Sequence, residues 1–545
     1  MPHHRNDNHL SYGDALFLYL EREGMPLNVA SVNVFEGIIS RKACTRFIES
    51  KLPLIPRYLQ RVVSPPFNIG LPDWEYDPEF DIRNHVREVT LEHGTEAEFK
   101  AVAGEILSQM MDRQRPLWDF TLVRGLNGDR TGVVTRMHHC LADGLAGVEL
   151  LNVLLDPSPE VRPLPKRKPQ FHPPHRKHSS TSLLDELISS SSAVAQRVLT
   201  AQGELLHVLQ QVLAAAGHEA EASSGHPQPE ANGEPIPLVS EFARFMPEVT
   251  GTTQRLPFNI ICRGPQKFRW AEIPLAEIKA VKQACGATVN DVVLAVVTSA
   301  IQRYVELQGV RIRGRLLRIV VPVNVRGNGD AHQLGNRITF LPVTIPLDIR
   351  NLRKLVTAIR ERMAFLKTAH VAELVGMAGT MLGTIPTAAQ VVVGPIVSQL
   401  PLGLCNIICT NVPGPAFPLY LLGHKMLCCY PYVPIGGDIG INCAVLTYDG
   451  TAYFGFTGDV HAAPDLARLE KFLTTAFAEL RRAVGVGTRR GRRRPAKKRK
   501  AGAAMVSPIP QQPLKAPLLR KPAESAPAPT TSGKNPHETP VGVAV

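Results

Sequence analysis

Cysteine pairs with metal-binding spacing are missing from this sequence. Its nine cysteines include no Cys-x-x-Cys, and the closest groupings are Cys405 with Cys409 and the adjacent Cys428 and Cys429. That argues against a zinc module, and an odd count without a framework suits a reducing compartment. The opening Met-Pro-His-His-Arg-Asn-Asp-Asn is polar and no apolar run of signal-peptide type follows it, so an intracellular protein is expected. No Gly-rich phosphate loop is present: Gly327-Asn328-Gly329 follows an expected strand but lacks the rest of any nucleotide fingerprint.

Charge is absent from residue 374 to residue 424, where there is no Asp, Glu, Lys or Arg. Pro386, Pro395, Pro401, Pro413, Pro415 and Pro418 interrupt this stretch, so no clean run of about 20 apolar residues survives to span a membrane. Buried core is the expectation, ahead of membrane-surface contact. Acidic charge, in turn, is scarce at the C-terminus. From Arg489 onward there are thirteen Lys or Arg against two Glu, which accounts for +11 of the formal +13 and leaves the remainder nearly neutral. The run 489–500 holds nine basic residues and no acidic one. Without interleaved aromatics or a recognition fold a nucleic-acid partner is not expected. A solvated tail comes first, then attraction to anionic lipid headgroups at about 1 kcal/mol per basic residue near the surface.

What is present suits a two-domain enzyme: 545 residues, 44% of them hydrophobic and 20% charged. Residues 1–156 mix strand patterns, such as 28–35 and 130–137, with a helix at 96–111. Residues 157–256 form a Pro-rich basic linker with a helical segment at 182–216. In the second domain, 257–485, a strand at 268–273 precedes helices at 275–285 and 290–306, with Asn290 as N-cap. Strands at 316–325, 336–345, 406–410, 442–448 and 452–458 follow, and a helix at 464–484 closes the fold. Residues 486–545, rich in Ala, Pro, Lys and Arg, are expected to be a disordered basic tail.

One segment carries chemistry. Residues 132–136 pattern as a buried strand and 145–155 as a helix, which puts Met137-His138-His139-Cys140-Leu141-Ala142-Asp143-Gly144 at a strand-to-helix turn. Such a turn aims one imidazole at a cavity, and histidine, titrating near neutrality, accepts a proton from a hydroxyl and returns it to a leaving thiolate. Gly144 permits the tight backbone. A buried pair of histidines beside a helix cap is the plainer alternative, and Cys140 is expected to be a packed thiol rather than a nucleophile. Trp118 is expected to be a core aromatic.

The spacing His-His-x-x-x-Asp-Gly resembles the signature of the CoA-dependent acyltransferase superfamily, which includes chloramphenicol acetyltransferase and condensation domains. Within it the sequence is most similar to the bacterial wax ester synthase/diacylglycerol acyltransferase family. Further motifs fall in that family's order over roughly residues 9–484: Leu10-Ser11 with Asp14 and Phe17-Leu18, Pro116-Leu117-Trp118, Asn290-Asp291, Pro322-Val323-Asn324-Val325-Arg326, Leu334-Gly335-Asn336 and Asn411-Val412-Pro413-Gly414-Pro415. The resemblance implies two chloramphenicol acetyltransferase-like mixed α/β domains around a central channel. It further implies His139 as general base, His138 as a supporting residue and Asp143 as a structural residue paired with an arginine, for which Arg57 and Arg61 are candidates. Asn290 and Asp291 would line the substrate site, although a helix-cap role fits them equally well.

The implied substrates are long-chain acyl-CoA with diacylglycerol or a fatty alcohol, with no metal and no cofactor. The implied location is cytoplasmic, peripheral to the inner face of the plasma membrane or to lipid droplets. Two alternatives remain open: transfer from a carrier-protein thioester, and a non-catalytic lipid-binding scaffold.

Overall fold

The computed structural model describes residues 9–68, 70–141, 144–161, 253–324, 338–368 and 387–487. The helical segment expected at 182–216 and the basic tail lie outside these residues. In chain order the first half contains α1 (Tyr12–Leu20), β1 (Asn28–Glu36), α2 (Arg41–Lys51), β2 (Gln60–Val63), β3 (Asp73–Tyr76), β4 (Val86–Thr90), α3 (Glu96–Leu107), β5 (Trp118–Leu126), β6 (Arg130–His138) and α4 (Gly144–Leu154). The second half contains β7 (Gln266–Pro274), α5 (Leu275–Cys285), α6 (Val289–Leu307), β8 (Leu316–Asn324), β9 (Ile338–Pro346), α7 (Leu352–Thr368), α8 (Thr387–Val397), β10 (Ile407–Pro413), β11 (Tyr420–Leu421), β12 (His424–Tyr432), β13 (Ile441–Tyr448), β14 (Thr451–Asp459) and α9 (Arg468–Ala483).

Two six-stranded sheets organise these elements, in the orders β11-β12-β1-β6-β5-β4 and β7-β14-β13-β10-β8-β9. β1 is covered on both faces, so Val29, Val32, Val34 and Phe35 are all buried and its sequence shows no strict alternation. In the second sheet α6 is the central helix. It is buried along most of its length because Val292, Val293, Leu294, Val296 and Val297 surround its axis rather than marking one stripe.

β12 departs from the expected organisation. It lies late in the chain yet pairs antiparallel with β1, Ala30 opposite Tyr432 and Val34 opposite Cys428. A boundary drawn at residue 257 therefore does not coincide with the division between the sheets. Where β12 passes β14, Gly455 leaves no room for a side chain: a Cβ there would stand 1.9 Å from the Pro431 carbonyl oxygen. The two sheets are also joined by Tyr430 of β12 stacked on Trp270 of β7 with ring centroids 4.7 Å apart and by the Tyr430 hydroxyl bonded to Glu272, and Lys100 Nζ of α3 lies 2.7 Å from Glu470 of α9.

Three further expectations change. The helix from 96 ends at Leu107, because the Ser108 hydroxyl donates back to the Gly104 carbonyl and accepts the Gln266 N–H. The helix from 290 begins one residue earlier, and its N-cap is Thr288 rather than Asn290. The uncharged stretch is not wholly core: α8 and the turn after it expose Val392, Val393, Ile396, Leu400, Leu402 and Leu404.

Candidate active site

β6 ends at His138, which pairs with Asn28 of β1, and α4 starts at Gly144, so the two histidines occupy the strand-to-helix turn as expected. Asp143 lies outside the described residues. Of its two candidate partners, Arg57 donates to Gln60 at 2.9 Å and sits 4.6 Å over the Trp74 ring, while Arg61 lies in β2.

His138 is completely buried. Its Nδ1 accepts the Cys140 backbone N–H at 3.1 Å, and its Nε2 faces Glu21 Oε1 at 3.5 Å. Glu21, whose side chain is also fully buried, accepts the Leu27 N–H at 3.0 Å and Arg113 Nη2 at 2.9 Å. Burial alone would raise its carboxyl. The His138 contact, the Arg113 guanidinium and the Leu27 N–H outweigh burial and hold it down to about 2. The Leu27 carbonyl accepts the His139 N–H at 2.9 Å, so the backbone at His139 is tied to the residue this carboxylate holds. Glu21 had no signal in the sequence. It follows α1 in a polar Glu-Arg-Glu run, and only the fold brings it beneath the histidines.

His139 differs from its neighbour in facing a space. Its ring stacks on Phe17 with centroids 3.9 Å apart and planes 4° from parallel, and it stands on the wall of a cavity of about 910 Å³. The cavity runs between the sheets: Ala30 and Thr135 line it from one, Ile408 and Leu446 from the other, and Leu151 of α4 closes a side. Its walls are largely apolar and its size is that of small-molecule sites, which span about 300–1,000 Å³. An imidazole held by stacking and by its backbone on a largely apolar wall is equipped to move a proton between a hydroxyl and a leaving group.

Beside it, Cys140 is buried to 1% exposure, and burial followed by the charges of Asp14 and Glu21 pushes its thiol well above the ordinary range. A thiol so held is a packing group and not a nucleophile. Just upstream on β6, Arg136 and Asp119 form a buried two-point ion pair, with Arg136 Nε at 3.0 Å from Asp119 Oδ1. Trp118 is core, stacked on Tyr58. Asp291 is the third residue of a capping box: its carboxylate accepts the Thr288 N–H at 2.8 Å while the Thr288 hydroxyl accepts the Asp291 N–H at 3.1 Å. Asn290 reaches toward Asn411, a cavity residue, at 3.5 Å, but neither Asn290 nor Asp291 lines the cavity itself.

The paired mixed sheets are a fold shared with the first condensation domain of the CDA synthetase, with a TM-score of 0.52 at 16% identity over 89% of this chain and 98% of that one. The structure of a wax ester synthase/diacylglycerol acyltransferase from Marinobacter aquaeolei superposes with a TM-score of 0.59 at 22% identity, over 88% of this chain and all of that one. The wax ester synthase/diacylglycerol acyltransferase catalytic domain matches residues 10–293, and the C-terminal domain of the same proteins matches residues 334–481. The chain belongs to that family. A probable diacylglycerol O-acyltransferase of Mycobacterium tuberculosis is 27% identical over 496 residues, 89% of this chain and 97% of that protein. A second from the same organism is 28% identical over 488 residues, 87% and 98% of the respective chains.

Proposed function

We propose that this protein is an acyl-CoA-dependent O-acyltransferase that esterifies diacylglycerol or a long-chain fatty alcohol, giving triacylglycerol or wax ester. The observation that carries this reading is the placement of His139, half-buried on the wall of an apolar cavity that runs between the two sheets. In a ternary complex His139 takes the proton of the alcohol as its oxygen attacks the thioester carbonyl. The C–O bond forms, the C–S bond breaks, and the imidazolium returns its proton to the departing thiolate. Apolar walls favour long acyl chains and keep water, the competing nucleophile, from the thioester.

The chain acts where such substrates collect, at the inner face of the plasma membrane or at lipid droplets, as a peripheral protein. Among the described residues no single helix is long and apolar enough to cross a membrane. Long-chain acyl-CoA consumption measured with diacylglycerol and with hexadecanol side by side tests the reading, with a carrier-protein thioester as the control donor. Ester formation from free acyl-CoA is expected. Activity confined to the carrier-bound donor overturns it.

A further inference from the structure

α8 presents its apolar side chains outward. Gln390, Gly394 and Ser398, four residues apart, turn inward, and Gly394 packs so closely on α1 that a Cβ would stand 2.6 Å from the Tyr19 carbonyl oxygen. The outward side carries Val392 at 67% exposure and Ile396 at 56%, where a helix on the surface of a soluble protein places polar residues. The turn that follows adds Leu400, Leu402 and Leu404, the last at 62%. At the other end of the helix, Thr387 bonds to the Asn68 carbonyl and the Gly70 N–H, beside Phe67, which is 82% exposed and held at a φ of 54°.

Two features say what covers this surface. Val393, Leu400, Leu402 and Leu404 belong both to the exposed surface and to the lining of the His139 cavity, so the apolar face is continuous with the site. Its edge is basic. Arg255 donates to the Pro401 carbonyl, Arg315 to the Arg255 carbonyl, and Arg22 to the Ser398 hydroxyl. Among the described residues, Glu23 follows Arg22 in sequence, Asp348 accepts the Gly314 N–H beside Arg315, and Asp438 is buried with its carboxylate on the Gly403 N–H.

We propose that α8 and the turn 398–404, with Phe67 at one end and the arginines at the other, dock the protein on an anionic lipid surface so that the mouth of the cavity opens against the lipid. The apolar side chains enter the acyl boundary and the guanidiniums meet the headgroups. A hydrophobic alcohol then passes from the lipid to His139 along Leu404, Leu402 and Leu400 without crossing water. This inference rests on the reading of the substrate as a lipid alcohol.

The test uses the full chain and vesicles of phosphatidylcholine with and without phosphatidylglycerol. Trp74, Trp118 and Trp270 are all 4% exposed or less, so an Ile396→Trp variant places a single reporter at the face. Its emission is expected to shift to the blue and to be quenched by brominated acyl chains when anionic vesicles are added. Val392→Glu with Ile396→Glu, neither of which lines the cavity, is expected to weaken vesicle binding and turnover of vesicle-borne diacylglycerol by tenfold or more. Turnover of detergent-dispersed substrate stays unchanged.

An Ile396→Trp variant that floats with vesicles while its introduced indole is unquenched overturns the proposal, as does equal binding to vesicles lacking phosphatidylglycerol. A blue-shifted reporter in a dimer without vesicles also overturns it, assigning the face to a second copy. If the wild type transfers no acyl group in detergent, the functional reading fails, while the quenching measurement still decides the docking.

Discussion

His139 and Cys140 are neighbours in sequence with opposite surroundings, one on the cavity wall and the other sealed in the core. If the imidazole is the base, His139→Ala loses roughly 10²- to 10⁴-fold in rate with the fold intact, whereas Cys140→Ala keeps most of its activity. Intact mass after incubation with acyl-CoA alone is the check: a stoichiometric adduct on Cys140 that alcohol discharges would defeat the ternary-complex mechanism. Glu21 permits a second experiment. Its carboxyl sits at about 2 when folded against an ordinary 4.5. A carboxyl lowered by folding contributes stability that is fully present above about pH 4.5 and disappears as the pH falls through about 2, here on the order of 3 kcal/mol. Glu21→Gln should therefore be clearly less stable than the wild type at neutral pH, with the gap narrowing in that acid window. Urea midpoints at neutral pH and near pH 3 measure it, and a gap independent of pH would show that the carboxylate charge is not what holds the loop. At this scale the sequence revealed the histidines, because their spacing is local, and concealed Glu21, whose partners arrive from Leu27, Arg113 and β6.

Elements were legible in proportion to how locally their ends are decided. α5 falls at the expected 275–285 because Pro274 precedes it and Gly286, at a φ of 59°, ends it in the left-handed conformation. α6 shifted by one residue because the Thr288 hydroxyl, with Asp291 three residues on, caps better than the Asn290 amide. Thr288→Ala should cost about 1 kcal/mol, visible as a lower urea midpoint with unchanged slope. An unchanged midpoint would mean that packing of α6 makes the cap dispensable. β12 was not expected as a strand at all. Its run of Cys, Tyr and Pro431 carries no period-2 signal, and it becomes a strand only because β1 offers it a partner.

For the whole molecule, that crossing has a consequence for folding. A fragment of residues 1–256 would leave β1 as an unpaired apolar edge, since its neighbour on one side is β12. Produced alone, the fragment should aggregate, and co-expression with residues 257–545 should return it to the soluble fraction as a complex by size-exclusion chromatography. A monomeric, soluble 1–256 fragment would show that the sheet closes without β12. The sequence by itself determined the mixed α/β class, the strand-to-helix turn and the histidines on it, because each depends on periodicity, end signals and spacing over a few residues. Only the tertiary structure decided that the carboxylate behind His138 is Glu21, that β12 belongs with β1, and that α8 turns an apolar side outward. Each of these depends on which distant surfaces meet, a matter of burying area and satisfying polar groups across the whole chain, and no local pattern encodes it.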